Sequence, residues 1–243
     1  MLQLDEAFPQ DPIAVQHRLQ PLEAFAGSLG AKVYQTLRQA ILSLSYRPGE
    51  ILRKPEICAE LGVSRSPVSD AVARLAGEGL VDVVPQAGTY VARFSMAEIR
   101  EGAFLREAIE LQAIEMVAER ISEEQLVALR RNITVQAALL ADGDIPGFYQ
   151  LDGEMHELIR SFTGYRKLSA VADTAWVHVE RARRLVLPVD GRVAATLEEH
   201  RAILAALEAR DPQAARTVMR LHLRKLVTYL EPLERSHPEL FNP

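Results

Sequence analysis

The stretch "PEICAELGVSRSPVSDAVARLAGEGLVDVVPQAGTYV", residues 55–91, decides the fold. Pro55 opens a short helical run, PEICAEL, at a position where its missing N–H costs nothing. Gly62 closes that run. Ser64 then reads as an N-cap, and RSPVSDAVARLAGEG as a further helix closed by Gly77 or Gly79. Two β-rich runs follow around PQAG, which predicts a hairpin with Gly88 at its tip. Upstream, AKVYQTLRQAILSLS puts Val33, Leu37, Ile41 and Leu44 on one helical face. Arg47, Pro48 and Gly49 form a turn signal behind it. Three helices, the last two joined by a glycine turn, and then a hairpin predict a winged helix-turn-helix over residues 29–94.

On either side the pattern changes. Residues 1–28 carry Pro9, Pro12 and Pro21 and read as an N-terminal extension with a short helix near 13–25 and no evident role. From Ser95 onward the pattern is helical. SMAE (95–98) and SEEQ (122–125) are capping boxes, and Asp211 with Pro212 is an N-cap and first-turn pair. Six helices are expected, near 96–120, 123–141, 146–162, 165–186, 190–209 and 212–234, with Gly143, Gly164 and Gly191 in the breaks. The fold class is therefore mainly α: a winged head followed by an antiparallel six-helix bundle over residues 95–236 and a tail at 237–243.

The 243 residues are 48% hydrophobic and 25% charged, enough for two modest domains. No apolar run reaches the length of a membrane span, and the acidic start lacks a signal pattern. Cys58 is the single cysteine, so no internal disulfide forms. It reads as a structural thiol rather than a redox sensor. These features predict a cytoplasmic protein with no membrane partner. The net charge of −5 is unevenly spread: residues 29–93 hold eight Lys/Arg against six Asp/Glu, and are the only net-basic part. That excess alone is also what a solvated face shows.

In a helix-turn-helix the second helix of the motif enters the major groove, with its N-terminal residues at base edges and phosphates. Here that end reads SRSPVSD. Ser64 and Ser66 suit phosphate oxygens, and Arg65 suits a bidentate contact with guanine. Its alternative is a surface arginine of a head used for protein contacts. Arg53 and Lys54 read either as phosphate contacts or as solvated charges. The hairpin would be the wing, with Gly88 letting backbone approach the minor groove or a phosphate.

Four of the six histidines fall in the helical part. His156 and Asp152 lie one turn apart beside the stripe of Leu151, Met155, Leu158 and Ile159. His200 lies within the stripe of Val193, Leu197, Leu204 and Leu207, and His222 within that of Val218, Met219, Leu226 and Tyr229. One histidine on an apolar face is an ordinary core histidine. Three imidazoles and a carboxylate turned to one core leave lone pairs or like charges uncompensated. A divalent cation resolves this, with zinc first and nickel or manganese as the other candidates.

Two resemblances sharpen the reading. PGEILRKPEICAELGVSRSPVSDAVARLAGEGLV, followed by GTYV, resembles the winged head of the GntR family of bacterial transcription regulators. The LGVSR run, the EGLV ending and the wing glycine carry it. The resemblance implies a homodimer on a palindromic operator in double-stranded DNA. It also marks a departure: Ser69 stands where the family often places a DNA-contacting arginine. Residues 96–234 resemble the FCD effector domain of the FadR-like branch, on DGEMHELI, EEHRAILAALEARDPQAA and MRLHL. That resemblance implies Asp152, His156, His200 and His222 as metal ligands and a small carboxylic acid as effector. FLREAIELQAIEMVAER resembles the first FCD helix and makes Arg106 a candidate effector contact. The alternative for Arg106 is an i,i+4 pair with Glu110 on a solvated face. His178, grouped with Val171, Ala175 and Ala182, would line the pocket or be a core histidine.

The function this implies is a repressor whose operator affinity is set by an acid bound at the metal. The rivals are a metal-dependent helical-bundle enzyme and a regulator whose metal is purely structural. HELIR lacks the second histidine of a zinc protease helix. Gly153 and Leu197 stand where a di-iron bundle would need glutamates, and no phosphate loop or nucleophile elbow is present.

Overall fold

The computed structural model describes residues 18–186, 189 and 191–242. Two compact units are present. One runs to Met96 and takes in Glu180–Arg184 and the segment from Leu233 onward. The other comprises Ala97–Val179 and Leu185–Pro232.

In the first unit, α1 (Leu29–Leu42) starts behind Ser28, whose side chain accepts from the Ala31 amide at 3.3 Å. Val33, Leu37, Ile41 and Leu44 are fully buried, as the stripe requires. The helix stops two residues before Leu44, which reaches the core with a left-handed φ of 61°. Next come α2 (Lys54–Leu61) and α3 (Arg65–Gly77), with Gly62 turning between them at φ 63°. Ser64 occupies the N-cap position of α3 but its side chain makes no cap bond. Strands β1 (Val81–Val84) and β2 (Gly88–Val91) pair antiparallel, with Val81 opposite Val91 and Val84 opposite Gly88. Gly88 is thus the first residue of β2. The tip belongs to Pro85–Ala87, where Gln86 takes the left-handed φ of 63°. Residues 49–52 line the other edge of β2, through Gly49 N–H to Val91 O and Leu52 N–H to Thr89 O, both 2.8 Å.

The ends of the chain contribute to this unit. The part of the expected helix near 13–25 that is described holds a single 3-10 turn, Leu22–Ala24; the rest, with His17, lies outside the described residues. Leu19 is buried, Arg18 pairs with Glu50 over the Tyr46 ring, and Thr36 donates to Gln20 O at 2.8 Å. Near the C-terminus, Leu240 and Phe241 are buried, and Phe94 exchanges backbone bonds with Leu240 and Asn242 at 2.9 and 2.8 Å. Arg181 is wholly buried here. It donates to Ala92 O at 2.7 Å and lies over the Phe94 ring.

The second unit is built on α4 (Met96–Arg120), α5 (Glu123–Ala141), α6 (Ile145–Phe162), α7 (Lys167–Ala175), α8 (Val177–Val186), α9 (Arg192–Glu208) and α10 (Pro212–Ser236), except that Glu180–Arg184 of α8 and the end of α10 from Leu233 belong to the first. Ser122 and Gln125 form the full capping box of α5, and Asp211 Oδ1 accepts from the amides of Gln213 and Ala214. One expected helix, 165–186, is two. The break falls at Trp176, with φ −133° and ψ 33°. Gly102 of α4 packs against it: a Cβ there would stand 3.3 Å from Ala175 O and 3.4 Å from Trp176 Cα. A side chain at this position would press on the kinked backbone, which glycine avoids. Leu111, Ile114, Leu129, Met155, Ile159, Leu197, Ile203 and Met219 form the centre of the core.

Candidate functional site

Three helices of the second unit bring Asp152, His156, His200 and His222 together. One ligating atom from each lies within 4.8 Å of all the others, and all four residues are buried. Asp152 and His156 share one face of α6, one turn apart. His200 comes from α9 and His222 from α10. His156 Nε2 and His222 Nε2 stand 3.1 Å apart, and His200 Nε2 lies 3.3 Å from Asp152 Oδ1.

The opposite nitrogen of each ring explains this arrangement. His200 Nδ1 meets Gln136 Oε1 at 2.7 Å. The amide of Gln136 is oriented by its own donors, Nε2 to Asn132 Oδ1 at 2.6 Å and to Leu151 O at 3.4 Å. Its oxygen therefore faces His200, and His200 Nδ1 must donate. His222 Nδ1 donates to Glu199 at 2.7 Å. Burial pushes Glu199 up, but hydrogen bonds from His222 and Arg192 outweigh it and hold the carboxyl at about 2. Arg192 clamps both oxygens, at 2.8 and 3.0 Å. His156 Nδ1 donates to Glu110. Burial also pushes Glu110 up, yet Arg106, His156 and Arg160 together leave it well below the ordinary range. Burial itself depresses His156, and depresses His222 strongly, so these rings are neutral near pH 7.

A neutral imidazole with a proton on Nδ1 presents a lone pair at Nε2. Two such lone pairs face each other 3.1 Å apart across His156 and His222, beside a buried carboxylate. The donor set fits a divalent cation, and each ring carries the acceptor behind it that fixes metal-binding histidines. Nitrogen with one carboxylate oxygen suits zinc, nickel or manganese better than a calcium site, which is all oxygen.

The other residues expected from sequence are dispersed. Arg106 is 5% exposed and bonds Glu110 Oε1 through Nε at 2.7 Å. The expected pair with Glu110 thus forms, but in the interior, as part of the support of His156, and not on a solvated face. His178 is outside the cluster, 3.6 Å from Glu98. Its expected face with Val171 and Ala175 does not run on, because the helix breaks at Trp176. In the head, Arg65, Ser66 and Ser69 lie exposed on α3, and Ser64 precedes them. Arg53 precedes α2 at the N-cap position without a side-chain cap bond and lies 3.6 Å from Glu56, with Lys54 next to it. Gly88 sits in the wing. Cys58 is half-buried, its Sγ 3.6 Å from Ser64 O.

Sequence reasoning missed the roles of Glu110, Gln136 and Glu199 behind the three histidines. Their signal was weak but present: Asn132 and Gln136 interrupt the apolar stripe of α5, as Glu110 does that of α4. Arg160 was missed too. It approaches Glu110 at 3.4 Å and lies 5.5 Å from the Trp176 ring.

Two family profiles match the chain. One, bacterial regulatory proteins of the gntR family, covers residues 29–91; the other, the FCD domain, covers residues 101–225. An HTH-type transcriptional regulator of Streptomyces ambofaciens, from an unstable DNA locus, is 35% identical over 86% of this chain and 88% of that protein. The HTH-type transcriptional repressor RspR of Escherichia coli K12 is 27% identical over 95% of this chain and 99% of its own length. Among solved structures, E. coli McbR/YncC superposes with a TM-score of 0.73 at 20% identity, over 86% of this chain and 99% of its own. A GntR regulator from Rhodococcus sp. RHA1 also reaches 0.73, at 22% identity, over 83% and 97%. At these identities the two structures share the fold.

Proposed function

This chain belongs to the gntR family of bacterial regulatory proteins and carries an FCD domain, and on that footing we propose a repressor whose grip on its operator is set by a small carboxylic acid at a divalent metal. It is a DNA-binding transcriptional regulator. Its relatives regulate transcription and are not enzymes, which sets aside the helical-bundle enzyme. No helix among the described residues is long and apolar enough to cross a membrane.

The observation that carries the metal reading is the convergence of four buried ligating atoms within 4.8 Å, each ring backed by an acceptor. Asp152, His156, His200 and His222 would hold the cation, zinc before nickel or manganese. Bound there, it would supply a Lewis-acidic centre for carboxylate oxygens. Arg106 and Arg160 would bring positive charge near the acid. Arg65 would read guanine, with Ser64, Ser66, Ser69, Arg53, Lys54 and the Gly88 backbone on phosphates or base edges. A homodimer would match the two halves of a palindromic operator. Phe104 and Leu221, 72% and 61% exposed, leave apolar surface on α4 and α10 for a second copy. The acid shifts operator affinity only by its differential affinity for two states of the dimer.

The burial of all four ligands favours a second reading, a metal that only braces the helices. Titrating metal-free and metal-loaded protein with a panel of carboxylic acids separates the two. Binding that requires metal supports the sensor; equal binding without it overturns coordination by the acid. His200→Ala, measured by elemental analysis and gel shift, is expected to lose the metal while operator binding stays measurable. Full metal content in that variant would reject the ligand set.

A further inference from the structure

Helix α3 turns one side into the head and the other to solvent. Val68, Ala71, Val72 and Leu75 are buried. Ser66, Ser69, Asp70 and Ala73 are exposed and, at spacings of three and four, share a face. Arg65, four residues before Ser69, borders this face, and Asp70 is the acid on it. The natural partner for Asp70 on a helix is Arg74, four residues on. Arg74 is turned away, with its guanidinium carbon 3.7 Å from the centroid of the Tyr34 ring on α1. Arg38, also on α1, donates to Glu78 at 3.0 Å. Asp70 forms no ion pair among the described residues.

An acid carried into a groove walled by phosphates is repelled unless something there donates to it. The donors in the major groove are the exocyclic amines of cytosine and adenine. An ionised carboxylate only accepts. Adenine sets the acceptor N7 beside its amine, so a carboxylate meets a lone pair there. Cytosine presents its N4 amine with no such acceptor on its own edge. We propose that Asp70 is a specificity-determining residue that accepts a hydrogen bond from cytosine N4, so that each operator half-site carries a cytosine under the second turn of α3. The inference rests on the reading that α3 enters the major groove.

The test is selection of binding sites from a randomised duplex library by the full-length chain, Asp70→Ala and Asp70→Asn. Both substitutions lie on an exposed face, and thermal unfolding checks the fold. The unsubstituted chain is expected to enrich a palindrome with one cytosine per half-site that Asp70→Ala no longer requires, losing about tenfold discrimination there. Asp70→Asn is expected to move the preference at that position to adenine, whose N6 and N7 match an amide. A palindrome selected identically by all three proteins overturns the role of Asp70 and leaves the major-groove reading standing. No enriched sequence for the unsubstituted chain overturns that reading, and this inference with it.

Discussion

Gln136 offers the sharpest test of the metal centre, because it touches no ligating atom. It is fully buried, and its Oε1 accepts from His200 Nδ1 at 2.7 Å. Gln136→Leu keeps similar bulk and removes the acceptor. The proton on Nδ1 then loses its fixed place, and the ring can turn or change tautomer at the ligating nitrogen. Loss of such a supporting partner costs about 10–100-fold in metal affinity, or about 1.4–2.8 kcal/mol. The metal-free fold should also lose about 1–3 kcal/mol, since a buried N–H is left unsatisfied. The affinity is read by competition with a chromophoric chelator, the stability by denaturant unfolding of metal-free protein. Gln136→Glu keeps an acceptor for His200 but gives up the donors to Asn132 and Leu151. It is expected to hold metal more nearly as the unsubstituted chain does. A Gln136→Leu protein that binds zinc within about threefold of the original would refute the reasoning, since the expected loss is at least about tenfold.

Three further outcomes are expected. Arg65→Ala should weaken specific operator binding by about 1–3 kcal/mol, and an unchanged gel-shift affinity would remove Arg65 from base reading. Gly153→Ala, in α6 with open space around it, should gain about 0.5–1 kcal/mol from helix propensity, whereas Gly102→Ala, 3.1 Å from Val179 Cγ2, should lose stability on unfolding in urea. The metal-free protein should weaken in acid before its carboxylates protonate. Burial lowers His156 and His222 below 6.5, so the unfolded chain takes up protons first. Their contribution is complete above about pH 6.5 and falls as pH drops toward the folded values. Glu199, held at about 2, keeps its share down to about pH 4.5. A urea midpoint higher at pH 5.5 than at pH 7.5 would contradict this.

Much of this was legible because it is periodic. The stripes of α1, α6, α9 and α10 declare their buried faces, and His156, His200 and His222 stand on or beside three of them. The turn at Gly62 and the capping residues Ser122 and Asp211 punctuate the chain locally. What the sequence hid depends on distant partners. Glu110, Gln136 and Glu199 support histidines 46, 64 and 23 residues away, and spacing along one helix says nothing of that. The break at Trp176 carries no proline or glycine of its own. The residue packed against it, Gly102, lies on another helix. The segments at 18–28 and 237–242 lack periodicity, and their place in the first unit comes from single anchors such as Leu19 and Phe241.

The burial of the four ligands also bears on time. An ion held by residues from α6, α9 and α10, none more than 7% exposed, would have little direct access to solvent. Its departure would then depend on local opening of the protein as well as on the bonds to the ion. A cation acquired as the chain folds would exchange more slowly than one at an exposed site. Two batches grown on different trace metals would differ long after purification, each keeping a record of the medium in which it was made.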